Sequence, residues 1–276
     1  MLMIKGSTLP EKTGRWFVSS VNLVALGLML LPLILVCWLS VISNEILSLP
    51  VEGYSLHWYQ EAFRQPQFLD GFILSLMVAA FAAAVGLAVS IPAAIIIVRR
   101  AFRGRSAILQ LLMSPLTVPA IVIGASLYIT VVEIEIATGL PLSGSVGVFV
   151  MGHVLLTIPW CIRLLVASLE GANLSVEEAA ASLGDTPAGI IWRITLPLIR
   201  PGIFAAAVFS LVVSFGNLEV SIFLASPGQV TLPVAMMQYL EWKIDPTIAS
   251  VSVLQVAFVA TALIVSNRFV NISRIV

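Results

Sequence analysis

The sequence predicts an all-α protein that crosses a membrane six times. Three observations carry that prediction. Of 276 residues, 59% are hydrophobic and 10% charged, whereas soluble domains carry about a quarter charged residues. Apolar stretches of about 20 residues, the length that crosses a hydrocarbon core, recur along the whole chain. The charges are sorted by sign between successive loops. Mean hydropathy is +1.07. Together these exclude a disordered chain, a coiled coil and most soluble enzymes. The 14 basic and 14 acidic residues cancel, so no global basic field exists to hold nucleic acid.

The first span covers 17–43 and includes 25 uncharged residues from Val18 to Ile42. It is longer than a signal-peptide core and no A-x-A site follows it, so it reads as retained. An outer loop, 44–70, carries Tyr54, Trp58, Tyr59 and Phe63, the aromatics of an interfacial belt. The second span, 71–98, should kink near its inner end at Pro92. The third, 106–131, should kink at Pro115 and Pro119, and a short loop, 132–145, follows. The fourth span is 146–168. A long inner loop, 170–201, separates it from the fifth, 202–224. Residues 225–246 include an amphipathic stretch that reads as a short outer helix, and the sixth span is 247–267. Lipid offers backbone groups no partner, so each span must be helical. Cys37 and Cys161 sit in apolar runs and read as packed thiols.

Orientation follows from Lys and Arg. Eleven of the 14 basic residues fall on one side: Lys5, Lys12, Arg15, Arg99, Arg100, Arg103, Arg105, Arg193, Arg200, Arg268 and Arg274. Eight acids fall on the other: Glu45, Glu52, Glu61, Asp70, Glu133, Glu135, Glu241 and Asp245. The split places both ends, 1–16 and 268–276, in the cytoplasm. Arg163 lies near the inner end of span four, where its side chain can snorkel to the headgroups.

Catalytic chemistry is not written in the chain, and no catalytic residue or metal site is assigned. No P-loop or G-x-S-x-G elbow occurs, and the two histidines, His57 and His153, are too far apart in sequence to pair on a helix face. Work done by the chain must draw on a partner or an ion gradient.

The inner loop is the most informative segment. Ser175-Val-Glu-Glu178 has capping-box spacing, three alanines favour helix, and Gly184 fits a C-terminal stop at positive φ. A second helix should begin with Thr186 as N-cap and Pro187 at the first turn, and end near Pro197. Its apolar residues Ile190, Ile191, Ile194 and Leu196 suit insertion into a partner's groove. Glu178-Ala179-Ala180, Gly184, Ile194 and Leu196-Pro197 match E-A-A-x3-G-x9-I-x-L-P at every defined position. In this motif the chain resembles the permease subunits of binding-protein-dependent ABC importers.

The resemblance implies a type I importer permease in a bacterial cytoplasmic (inner) membrane, with a shared core over 71–267. In that family the loop is a coupling helix docked on an ATPase, so Glu178 is expected at the contact and Gly184 at the turn. The implied partners are a dimer of ATPase subunits holding ATP and Mg, a second permease (a paralogue), an extracytoplasmic substrate-binding protein and membrane lipid. This chain itself is expected to bind no cofactor.

Polar residues inside spans are costly and default to function. Ser214, Asn217 and Ser221 share one helical face, whereas Glu219 points about 140° from Ser214. They can line one pathway only if the helix breaks near Gly216. His153 and Trp160 share a face of span four, either along the pathway or as core. The stretch Ser214–Pro233 is similar to spermidine/putrescine permeases at Ser214, Phe215, Ser221, Pro227, Leu232 and Pro233. Gly216 and Asn217 stand where that group often has two acids. A small polar, polyamine-like solute is implied, with amino-acid-like solutes, small anions such as phosphonate, or metal complexes as alternatives. An ATP-independent secondary transporter would instead show charges at mid-bilayer and inverted repeats.

Overall fold

The computed structural model describes residues 11–45 and 50–269. Lys5, Arg274 and most of the two expected cytoplasmic ends lie outside the described residues. The described chain is helical. Among the described residues five helices are long and apolar enough to cross a membrane, and Pro187–Leu198 with Arg200–Phe215, bent by 68°, makes up to six if that pair is one span. By their contacts the residues divide into two compact units.

One unit contains the described residues up to Ala62 together with Ile244–Leu254. Its long helix α1 (Glu11–Leu39) is apolar and exposed along most of its length. A helix this hydrophobic and this exposed has the surface of a lipid- or protein-facing span. After it, Trp58 at the start of α2 (His57–Arg64) donates its indole N–H to the Ile42 carbonyl at 2.7 Å. Trp58 is therefore buried rather than part of an exposed belt, a role left to Tyr54 and Phe63. Ser250 donates to the Ser40 carbonyl at 3.2 Å.

The other unit contains Phe63–Lys243 and the residues from Gln255 onward. Its core is three helices: α3 (Pro66–Arg99), α6 (Val146–Glu170) and α10 (Arg200–Phe215). Small residues bring α3 and α6 together, since the membrane supplies no hydrophobic drive between helices. Ala79, Ala82, Ala83 and Gly86 are buried along α3, and a Cβ on Gly86 would lie 2.7 Å from Thr157 Oγ1. Near the start of α3, Phe72, Phe215 and Phe258 meet edge-to-face or tilted with centroids 5.0–5.5 Å apart. They tie α10 to α3 and to α13 (Thr247–Phe269). Helix α12 (Leu232–Trp242) is a short helix where the sequence predicts one within 225–246. Its first N–H bonds Ser75 Oγ of α3 at 2.8 Å.

Two spans differ from their predicted form. The third is not one kinked helix over 106–131. A short α4 (Arg105–Met113) ends in a 3-10 turn at Ser114–Leu116, and α5 (Ala120–Thr138) starts anew after Pro119. Two prolines four residues apart each remove a helical donor and clash with the preceding turn, so the helix breaks instead of bending. The crossing moves towards the C-terminus, and Glu133 and Glu135 fall on the last turns of α5 rather than in a loop. Glu135 is occupied there, accepting from the Leu142 and Ser143 backbone N–H groups at 2.6 Å.

The fifth crossing is discontinuous. Helix α10 stops at Phe215, residues 216–220 unwind, and α11 (Ser221–Leu224) resumes. At about 1.5 Å per residue α10 spans about 24 Å, short of the roughly 30 Å hydrocarbon core. The unwound backbone is tolerated because its flanks are protein-buried, with Phe215, Val220 and Ser221 almost inaccessible.

Candidate functional site

Two sets of residues carry the chemistry: the motif loop and a polar seam between helices. In the loop, α7 (Leu174–Ser182) begins at Asn173, whose Oδ1 accepts from the Ser175 N–H at 3.1 Å. Ser175 is thus inside the helix, and the predicted Ser175–Glu178 capping box does not form. Asn is an equally good cap and lies two residues earlier. The C-terminus closes as the sequence predicts. Gly184 has φ of 87°, its N–H bonds the Ala181 carbonyl, and the Asp185 N–H bonds that of Ala180. This pair of bonds is the Schellman turn, which glycine adopts without a Cβ penalty.

Thr186 caps the second helix, its Oγ1 accepting from the Gly189 N–H at 3.1 Å, and Pro187 opens it. After α8 (Pro187–Ile190) the chain widens into a π stretch over Ile191–Thr195 and a last turn, α9 (Leu196–Leu198). Pro197 sits inside that turn rather than ending the helix. The wider turn before it takes up the bond a proline cannot donate. At Ile199 the path bends by 68° into α10.

The exposed apolar residues of the loop are not the predicted ones. Ile191 and Leu196 pack on the core cluster around Leu165, Leu169 and Ile199, and Ile190 and Ile194 are half-buried. Leu183 and Trp192 project instead, 89% and 72% exposed. Both were readable in sequence as apolar residues off the inward face of their helices. Glu178, Ala179 and Gly184 are exposed, and Ala180 is half-buried.

Adjacent to Glu178, Glu177 points the other way and is buried. Its Oε2 lies 3.0 Å from Arg99 Nε and its Oε1 3.1 Å from Arg99 Nη2, a two-point ion pair with the last residue of α3. Thr195 Oγ1 donates to the same Oε1 at 3.1 Å. The motif does not flag this trio. The available signal is that Glu177 and Glu178 are about 100° apart on the helix, so one must face inward.

The seam runs along α6 at four-residue spacing: His153, Thr157 and Cys161. His153 Nδ1 is 2.7 Å from Ser214 Oγ, and Nε2 is 3.1 Å from Ser221 Oγ. Ser221 Oγ gives its one proton to the Asn217 carbonyl, so Nε2–H donates to Ser221 and Nδ1 accepts from Ser214 Oγ. Thr157 donates to the Ala82 carbonyl of α3, and Cys161 Sγ is 3.0 Å from Ser210 Oγ of α10. The break at Gly216, on which a shared pathway depends, is present, and it places Ser214 and Ser221 at the two nitrogens of one imidazole ring. Asn217 is used locally: its Oδ1 accepts from the Val220 N–H at 2.9 Å, and its carbonyl accepts from Ser221 Oγ. Glu219 is exposed and outside the seam. The Trp160 ring stacks on Phe209 at 4.7 Å.

A small-residue helical core, a discontinuous span and a Schellman-capped loop leading into that span are the frame of a polytopic membrane protein. The family of binding-protein-dependent transport system inner membrane components matches residues 86–274. The chain belongs to that family. The putrescine transport system permease protein PotI of Escherichia coli (strain K12) is 30% identical over 203 residues, 73% of this chain and 72% of its own. A probable molybdenum ABC transporter permease protein of Haloferax volcanii is 31% identical over 174 residues, 62% of this chain and 64% of its own. In fold, the chain resembles a subunit of a bacterial ABC transporter that imports the acidic polysaccharide alginate. That likeness has a TM-score of 0.68 and 16% identity, and it covers 95% of this chain and 99% of that one. This chain is a permease subunit of an ABC importer, a multi-pass inner-membrane transport component.

Proposed function

We propose that the chain forms half of a translocation pathway for a small cationic amine, paired with a second, paralogous permease. A dimer of ATPase subunits holds ATP and Mg and drives it through the motif loop. An extracytoplasmic binding protein delivers the solute to the outer face, and both ends of the chain face the cytoplasm. The observation that carries the drive is the loop's shape. A rigidly capped α7 presents Leu183 beside Glu178, Ala179 and Gly184, and the π stretch of the same loop presents Trp192, two exposed apolar side chains in a loop that carries an exposed acid. Exposed apolar side chains of this size on a helix end fit a groove on another subunit. Ile194, Leu196 and Pro197 support these side chains from behind.

On the solute, the likeness to a permease named for putrescine favours a polyamine. In the pathway, Glu219 is the free acid at the break, while His153, Ser214, Ser221 and Asn217 fix the break and Trp160 packs beside it. A second reading, a small oxyanion or metal complex, is favoured by the relative named for molybdenum and by Gly216 and Asn217. Uptake of labelled putrescine into proteoliposomes of the whole transporter separates them. ATP-dependent putrescine accumulation that falls in Glu219→Gln supports the amine. Molybdate accumulation in its place overturns it. For the drive, Leu183→Asp should abolish co-purification with the ATPase.

A further inference from the structure

We infer that Arg99, Glu177 and Thr195 form a mechanical link that carries displacement of the motif loop into α3. The inference rests on the coupling role proposed for that loop. Three separate elements meet at one carboxylate: the inner end of α3, the first turn of α7 and the end of the π stretch. Glu177 accepts three hydrogen bonds there, two of them from the guanidinium fork. A two-point fork fixes orientation as well as distance, because rotating either partner breaks one of two parallel bonds. A single contact would act as a swivel.

Burial strengthens the connection. The side chains of Arg99 and Glu177 are 15% and 11% exposed, so salt and water screen the pair far less than a surface pair. The π stretch is part of the same device: Thr195 Oγ1 also lies 3.5 Å from the Ile190 carbonyl, five residues back. Beside the trio, a cavity of about 410 Å³ opens between α3 and the loop, lined by Ile96, Leu174, Ala181, Pro187 and Ile190. Loop and α3 thus meet at the ion pair next to a gap; Ile191 and Leu196 also pack on the cluster that holds Ala94 and Ile95 of α3, but only the fork fixes direction as well as contact. Helix α3 is about 50 Å long at about 1.5 Å per residue and packs on both α6 and α10. The loop therefore has two outputs: a covalent one through Ile199 into α10, and this non-covalent one into α3.

The test uses the assembled transporter. Spin labels at Val89→Cys on α3 and Ser182→Cys on α7, both exposed positions, report their separation in a Cys37→Ser background. With the link intact, the distance distribution is the same in the nucleotide-free and vanadate-trapped states. Arg99→Ala broadens it, Arg99→Lys broadens it less because a lysine cannot fork, and the exchanged pair Arg99→Glu with Glu177→Arg narrows it again. Arg99→Ala should still co-purify with the ATPase, while import of labelled putrescine per ATP hydrolysed falls about tenfold. A wild-type separation that changes between the two states overturns the link. So does an Arg99→Ala variant with unchanged separation. Loss of ATPase co-purification in Arg99→Ala also overturns it, because the trio would then only shape the docking surface. Normal co-purification of Leu183→Asp would defeat the docking role, and the label distances would still read the link.

Discussion

His153 carries a serine hydroxyl on each ring nitrogen, so truncating it removes two interhelical bonds and strands the buried Ser214 hydroxyl, while Ser221 keeps its bond to the Asn217 carbonyl. His153→Ala is expected to lower stability by about 1–2 kcal/mol, as interhelical hydrogen bonds in membranes are modest singly. A thermal melt of the detergent-solubilised protein reads it, and Ser214→Ala should cost about half as much. Gly71 is a second sensitive position. A Cβ there would sit 3.1 Å from the Leu232 backbone, which cannot rotate away as a side chain can. Gly71→Ala should destabilise by about 1–3 kcal/mol in the same melt. His153 was legible in sequence as a core histidine, but its partners were not. On an unbroken helix Ser214 and Ser221 stand about 10 Å apart along the axis, too far for one imidazole. Only the unwinding at Gly216 brings both within reach, and unwinding depends on what surrounds the segment.

Among elements, α7 separates two ways of starting one helix. Asn173→Ala should cost about 1 kcal/mol of helix stability, whereas Ser175→Ala should be nearly silent. Hydrogen exchange of the α7 amides distinguishes them, and the opposite ranking would restore the Ser175 capping box. The Gly184 stop and the Thr186–Pro187 start were legible because each depends on one residue's own backbone preference. The choice between Asn173 and Ser175 was not, since both residue types cap equally well. Pro115 and Pro119 marked the third span as irregular. A prolyl signal gives position but not amplitude, and packing on α6 and on α11 decides between a kink and a break.

For the whole molecule, the sign-sorted charges predict six crossings. Arg103→Cys should react with a membrane-impermeant thiol reagent from the inner side and Trp242→Cys from the outer side, in a Cys37→Ser background. Labelling of both from one side would refute the topology. The number and order of spans were legible because hydropathy reports transfer into lipid, which does not depend on partners. The seam and the Arg99–Glu177–Thr195 trio were not, because they join residues 18–78 positions apart in sequence. The 68° bend at Ile199 has one more consequence. The segment Pro187–Leu198 is about 18 Å long and is set across the axis of α10, so it works as a crank. Each ångström of travel at its tip turns the arm by about 3°, and a straight junction would pass on only a push along the axis. Sideways motion of an engine beneath the membrane can thereby become torque on the helix that ends at the break.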